Sequence, residues 1–169
     1  VTGSLEWVGF SAGPEDHDFT FDLTPSDTNA FTAGNPADSS GRPAYHVEFY
    51  REETLARLPS GQSWWHSLNA TTAMKQELGN AAAARLMNGR VAIVSGLYGL
   101  DGVHNFQAEI HPLYAMAVLI DARRSQGGLE ERWALMVRDR GSEGDCGQGD
   151  LPMLTSRDSV QHFVFDLGS

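Results

Sequence analysis

The chain has 169 residues and a formal charge of −10 from 22 acidic against 12 basic side chains, so it is long enough for one good core and short for two. That charge repels phosphate backbones and anionic lipid, and no Lys/Arg cluster offsets it, which argues against nucleic acid as a partner. A hydrophobic share of 41% with four Trp, four Tyr and eight Phe excludes a disordered chain and supports one β-rich domain over 1–169.

Val1, Leu5 and Trp7 alternate in the opening stretch, as do Phe19, Phe21 and Leu23 in the next, which predicts two strands. Ser11 to Asp16 carries Gly and Pro between them, the composition of a hairpin connection. From Thr24 to Pro43 the chain is rich in Asp, Asn, Ser, Thr, Gly and Pro. It reads as a long surface loop, an insertion that is also a candidate rim for a binding site. Tyr45, Val47 and Phe49 alternate with His46, Glu48 and Tyr50, giving a third strand with His46 on its wet face.

The Ala-rich stretch Thr71 to Met87 has Met74, Leu78, Ala82, Arg85 and Leu86 at helical spacing, which predicts the single central helix, capped by Thr71 or Thr72 and stopped by Asn88-Gly89. Arg90 to Tyr98 and Ala108 to Ile120 are apolar segments joined across Gly99-Leu100-Asp101-Gly102, and read as the central strands. Trp133 to Val137 and His162 to Leu167 complete about seven strands. Three strands, a helix and further strands is the order of a small antiparallel barrel of the oligonucleotide- or oligosaccharide-binding (OB-like) type, with a sandwich as the alternative.

No run of eighteen apolar residues occurs, so no membrane span is expected. The start at Val1 fits a processed product and a trimmed chain equally well, and an extracellular or cell-envelope location is the expectation. Cys146 is the only cysteine, so no intrachain disulfide framework exists. Its acidic neighbours disfavour a thiolate. Asp139, Gly141, Glu143 and Asp145 form a calcium-loop-like alternation that lacks the closing glutamate. No Gly-x-Ser-x-Gly elbow and no lysine-bearing phosphate loop is present.

The chemistry is concentrated in Asp101 to Pro112, where a carboxylate and an imidazole are followed by a second of each within twelve residues. On a strand, Glu109 and His111 project from one face roughly 6–7 Å apart, with Ile110, Tyr114, Met116 and Val118 on the other. Pro112 cannot donate to a ladder, so an edge, bulge or bend belongs there. With His104 and His17, the pair would suit a divalent metal, zinc first and calcium second. An acid–base pair of Glu109 and His111 needs a substrate pocket, and a purely structural role for His111 stands beside both. Trp64 and Trp65 are candidates for a ligand-stacking platform.

The stretch Val94-Ser95-Gly96-Leu97-Tyr98-Gly99-Leu100-Asp101, through His104 to Glu109-Ile110-His111-Pro112-Leu113-Tyr114-Ala115-Met116-Ala117, with Trp133 to Gly144 and the early Asp16-His17-Asp18-Phe19, resembles a group of uncharacterised, exported bacterial proteins. These share a His…Glu-(Ile/Leu)-His-Pro core. The resemblance covers about half the chain as scattered motifs; it implies that His17, His104, Glu109 and His111 act together and brings no reaction with it. Two functions are therefore expected in competition: an exported binding or assembly domain, whose His/Glu cluster holds a metal or pins the backbone, and a small metal-dependent hydrolase using the same cluster. Self-association through a strand edge is a third expectation.

Overall fold

The computed structural model describes residues 1–10, 18–26, 31–50 and 64–138. Alternating apolar residues produce six strands among these: β1 (Thr2–Phe10), β2 (Asp18–Pro25), β3 (Tyr45–Tyr50), β4 (Val91–Asp101), β5 (Gln107–Ser125) and β6 (Gly128–Val137). They form one sheet in the order β3-β2-β1-β4-β5-β6, and β3 also pairs with β5. This second pairing closes β1, β2, β3, β5 and β4 into a ring. The closing pair is parallel, with His46 opposite Glu109 and Val47 opposite Ile110, whereas every other pair is antiparallel. The expected barrel of the OB-like type fits this closed ring with its helical segment between the third and fourth strands.

Strand alternation places Leu5, Trp7, Phe19, Phe21, Leu23, Val47 and Phe49 inside. Edge-to-face contacts link Trp7 to Phe19 at 5.3 Å, Phe19 to Phe49 at 5.5 Å and Phe49 to Phe21 at 5.9 Å, each adding specific geometry to the area buried. Phe10 is also inside although its position is even, because the register shifts between Trp7 and Gly9. Val8 is the extra residue and stands 51% exposed.

Two corrections apply to the helical segment. The single expected helix is two: α1 (Trp64–Ala70), then a 3₁₀ turn over Thr71–Ala73, and α2 (Gln76–Met87). Thr71 does not cap α2; its hydroxyl donates to Leu68 O at 2.7 Å, and Lys75 precedes α2 without a side-chain cap. The buried face is also different, formed by Gly79, Ala83 and Met87 while Met74 and Leu78 are exposed. Gly79 occupies the contact because a β-carbon there would lie 2.5 Å from Thr71 O and 3.2 Å from the Phe10 ring. The stop occurs at Asn88-Gly89 as expected, with Gly89 at φ +75°, and the Asn88 side chain accepts the Trp7 amide at 2.7 Å.

On β5 the bulge expected at Pro112 is present and doubled. Tyr98 pairs with Ile110, Gly96 with Leu113 and Ser95 with Ala115, so β5 gains one extra residue in each interval. Between the two shifts the alternation reverses, which buries Leu113 and turns Tyr114 outward at 40% exposure, correcting the inward position expected for Tyr114. Met116 and Val118 are inside again. The hairpin connection at Ser11 to Asp16, the strand at His162 to Leu167, the loop with Asp139 to Asp145 and Cys146 lie outside the described residues. Among the described residues no helix is long and apolar enough to cross a membrane.

Candidate functional site

The strand faces that do not enter the core carry the chemistry. β2 presents Thr20 and Asp22, β3 presents His46 and Glu48, and β5 presents Glu109 and His111, all half-buried. Pairing sets them in rows. Asp22 is opposite His46, and His46 is opposite Glu109; one step along, Thr20 is opposite Glu48. His111 follows Glu109 by the same two-residue step that separates Glu48 from His46, and its charge acts on Glu48. Acid and imidazole therefore alternate along strands and across them.

His46 has a carboxylate at each ring nitrogen: Nδ1 is 3.5 Å from Asp22 Oδ1 and Nε2 is 3.4 Å from Glu48 Oε2. Burial opposes its protonation, yet the bonds to Asp22 and Glu48 and their charges prevail and lift its pKa to about 9. It is an imidazolium at neutral pH. Burial would raise the Glu48 carboxyl, but hydrogen bonds from His46 and Asp18 and the nearby His111 hold it below its ordinary value. Glu109 goes the other way. Burial pushes it up, and Asp101 and Glu48 add repulsion that His111 and His46 do not cancel. Its other neighbour across the ladder is Gly99, where even a β-carbon would stand 3.8 Å from Glu109 Oε1.

The turn between β4 and β5 overhangs this face. Asp101 Oδ1 accepts the Val103 and His104 amides at 2.8 and 3.1 Å, and its Oδ2 is 2.5 Å from His104 Nδ1. These bonds hold the Asp101 carboxyl below its usual range against the opposing effect of burial. Asn105 and Phe106 follow at φ +59° and +54°, conformations that cost energy for residues with side chains. The turn is held there by the loop 31–44, whose Thr32 hydroxyl donates to Phe106 O at 2.7 Å. Asn35 fastens that loop to the ring, its Nδ2 donating to Ala44 O and Ala108 O at 2.9 and 2.8 Å and its Oδ1 accepting the Ala108 amide at 3.1 Å. The long polar stretch is thus a docked wall, and Pro36 from it borders the cleft that results.

The cleft has a volume of about 560 Å³, within the usual range for small-molecule sites. Seven of its eleven described lining residues are Asp, Glu or His, and none is Lys or Arg. No family model, curated protein or solved structure matches the chain. The site therefore rests on its own geometry.

Of the residues expected to act together, His104, Glu109 and His111 all border the cleft, while His17 lies outside the described residues. His104 is turned to Asp101, and among the described residues no three His, Cys, Asp or Glu side chains converge closely enough to hold a metal ion. Trp64 and Trp65 are elsewhere. Trp65 is 2% exposed in the core, and Trp64 packs against it at 4.8 Å with the Arg90 guanidinium 5.9 Å from its ring centre, so both rings are engaged in packing rather than displayed as a platform. Sequence reasoning passed over Asp22, His46 and Glu48. One signal was available: His46-x-Glu48 and Glu109-x-His111 are the same pair in opposite order, each on alternate positions of a strand.

Proposed function

We propose that the chain is a binding domain that takes a neutral or cationic, hydroxyl-rich ligand of saccharide size in the cleft on the outer face of β2, β3 and β5. The observation that carries this reading is the composition of the lining: carboxylates and imidazoles from three strands and a turn, with no Lys or Arg among its described residues to receive a phosphate or a carboxylate and the His46 imidazolium already engaged by Asp22 and Glu48. Carboxylates accept from pairs of hydroxyls, imidazoles offer ring nitrogens to them, and such convergent polar groups fix the orientation of a ligand. The corresponding face of OB-type barrels is the one that takes oligonucleotides or oligosaccharides, and the acidity here disfavours the former.

A divalent cation is the second reading, supported by His104, Glu109 and His111 bordering the same cleft. It requires His104 to leave Asp101. Titration of ¹⁵N-labelled protein with cellobiose, maltose and N,N′-diacetylchitobiose, followed by amide shifts, tests the first reading. Changes confined to the amides around His46, Glu48, Glu109 and His111 are expected, with none on adding a single-stranded oligonucleotide. Saturable shifts with zinc or calcium, no response to any saccharide, and loss of the His104–Asp101 contact would replace it with the metal reading.

A further inference from the structure

Glu48 and Glu109 stand on adjacent strands, one strand across and two residues along from each other. That diagonal sets their α-carbons roughly 7–8 Å apart, and both side chains border the same cleft. Their surroundings differ in balance. Glu48 is held by His46, itself braced by Asp22, while at Glu109 burial and the acidic Asp101 and Glu48 outweigh the attraction of His111 and His46, with the bare backbone of Gly99 beside it. Two carboxyl groups that border one cleft, one paired with an imidazole and the other raised by burial, are the equipment of acid–base hydrolysis.

The lining narrows the bond that is cleaved. Among its described residues there is no Ser, Thr, Cys or Lys to act as a nucleophile on an acyl group, and no Lys or Arg to neutralise a phosphoryl group. Acetal cleavage needs neither, since its transition state is an oxocarbenium ion that an acidic site favours. We propose that the cleft hydrolyses glycosidic bonds, with Glu109 as the general acid, Glu48 as the general base and inversion at the anomeric carbon; this rests on the reading of the cleft as the ligand site.

In the step itself, the Glu109 carboxyl proton passes to the exocyclic oxygen while the bond from that oxygen to the anomeric carbon breaks, its electron pair leaving with the alcohol. A water oxygen bonds to the opposite side of the anomeric carbon and its proton passes to Glu48. The products are an alcohol and a free sugar, and exchange of one proton each with solvent returns Glu109 to its acid form and Glu48 to its carboxylate. The proposed inversion requires the two carboxyl groups to stand roughly 6.5–9.5 Å apart, which leaves room for that water. His46 is a positioning residue: with Asp22 behind it, the imidazolium keeps Glu48 ionised and in place.

The test uses 4-nitrophenyl and 2,4-dinitrophenyl glycosides of glucose, galactose, xylose and N-acetylglucosamine in both anomers, with ¹H NMR to identify the first-formed sugar. The wild-type chain is expected to cleave at least one series with inversion. Glu109→Gln should lose about 10²–10⁴-fold on the 4-nitrophenyl substrate and much less on the dinitrophenyl one, whose leaving group needs little protonation. Glu48→Gln should lose as much on both, and azide should restore turnover by giving the inverted glycosyl azide. His46→Gln should shift the lower limb of the pH–rate profile upward, which a merely structural role would not do. Release of the retained anomer, or equal loss on both leaving groups in Glu109→Gln, overturns the roles. No cleavage of any substrate by wild type overturns the activity, and the saccharide shift titration then shows whether the binding reading falls with it or stands alone.

Discussion

Replacing Asn35 with alanine is expected to loosen the wall of the cleft and to cost far more than a loop substitution ordinarily does. Its carboxamide satisfies both backbone groups of Ala108 and the carbonyl of Ala44, and its Oδ1 also accepts the Thr32 amide at 2.8 Å. Ala44 and Ala108 are both fully buried, so water does not simply replace the lost partner. Each buried backbone group left unsatisfied costs about 1–3 kcal/mol. With three such groups and partial relaxation of the loop, Asn35→Ala should lose about 3–4 kcal/mol, or roughly 6–16 °C in Tm for a chain of this size. Asn35→Asp should be worse, because a second oxygen would then face the Ala44 and Ala108 carbonyls. Urea unfolding gives the free energies, and amide exchange at Ala108 should accelerate in Asn35→Ala ahead of the rest of β5. A loss below about 1 kcal/mol, with Ala108 exchange unchanged, would show that the loop is not fastened through this residue.

His46 makes stability fall on the alkaline side. Its pKa is about 9 in the fold against about 6.5 unfolded, so its contribution is complete below pH 6.5 and fades as the pH rises through 9, by about 3 kcal/mol in total; His46→Gln should flatten that slope in urea unfolding at pH 5.5 to 9.5. Glu109 is raised by burial, so its ionised form opposes folding at neutral pH, and Glu109→Gln should raise Tm at pH 7 while leaving it unaltered near pH 4, measured by calorimetry. Gly79→Ala should destabilise by about 1–2 kcal/mol in urea, since the ~1 kcal/mol of helix propensity gained is outweighed by overpacking against Thr71 O at 2.5 Å. Asp101→Ala should release the Val103 and His104 amides, seen as faster exchange confined to the 101–106 turn and a loss of about 1 kcal/mol.

The strands were legible because each has one wet and one dry face, and period-two alternation survives wherever the ladder is regular. It fails at Val8 and between Ile110 and Ala115, where bulges insert extra residues; Pro112 announces the second, and nothing local announces the first. The helix was legible in composition but not in orientation. Leu78 is the better helix former and the larger apolar side chain, yet Gly79 faces the core because Phe10 and Thr71 leave no room for more, a constraint set from β1 and the 3₁₀ turn. Glu109 and His111 were visible as a cluster within one segment. Their partners were not, because Asp22, His46 and Glu48 join them only through the parallel closure of β3 on β5, and a contact between distant strands leaves no trace in local periodicity.

That closure also explains why two chemically similar glutamates diverge. Glu48 sits inside the ladder of β3, with β2 on one side and β5 on the other, so histidines reach it from its own strand and from its neighbour. Glu109 lies where β3 meets β5, with Gly99 of β4 on its far side, and the carboxylates of Asp101 and Glu48, together with burial, outweigh its attraction to His111 and His46. Exchanging the surroundings should therefore exchange the behaviour. A histidine at Gly99 would place an imidazole beside Glu109 and give it the partner that Glu48 already has, whereas removing His46 leaves Glu48 with the Asp18 bond and the His111 charge alone. The asymmetry is a property of strand order, and it exists only in the closed ring.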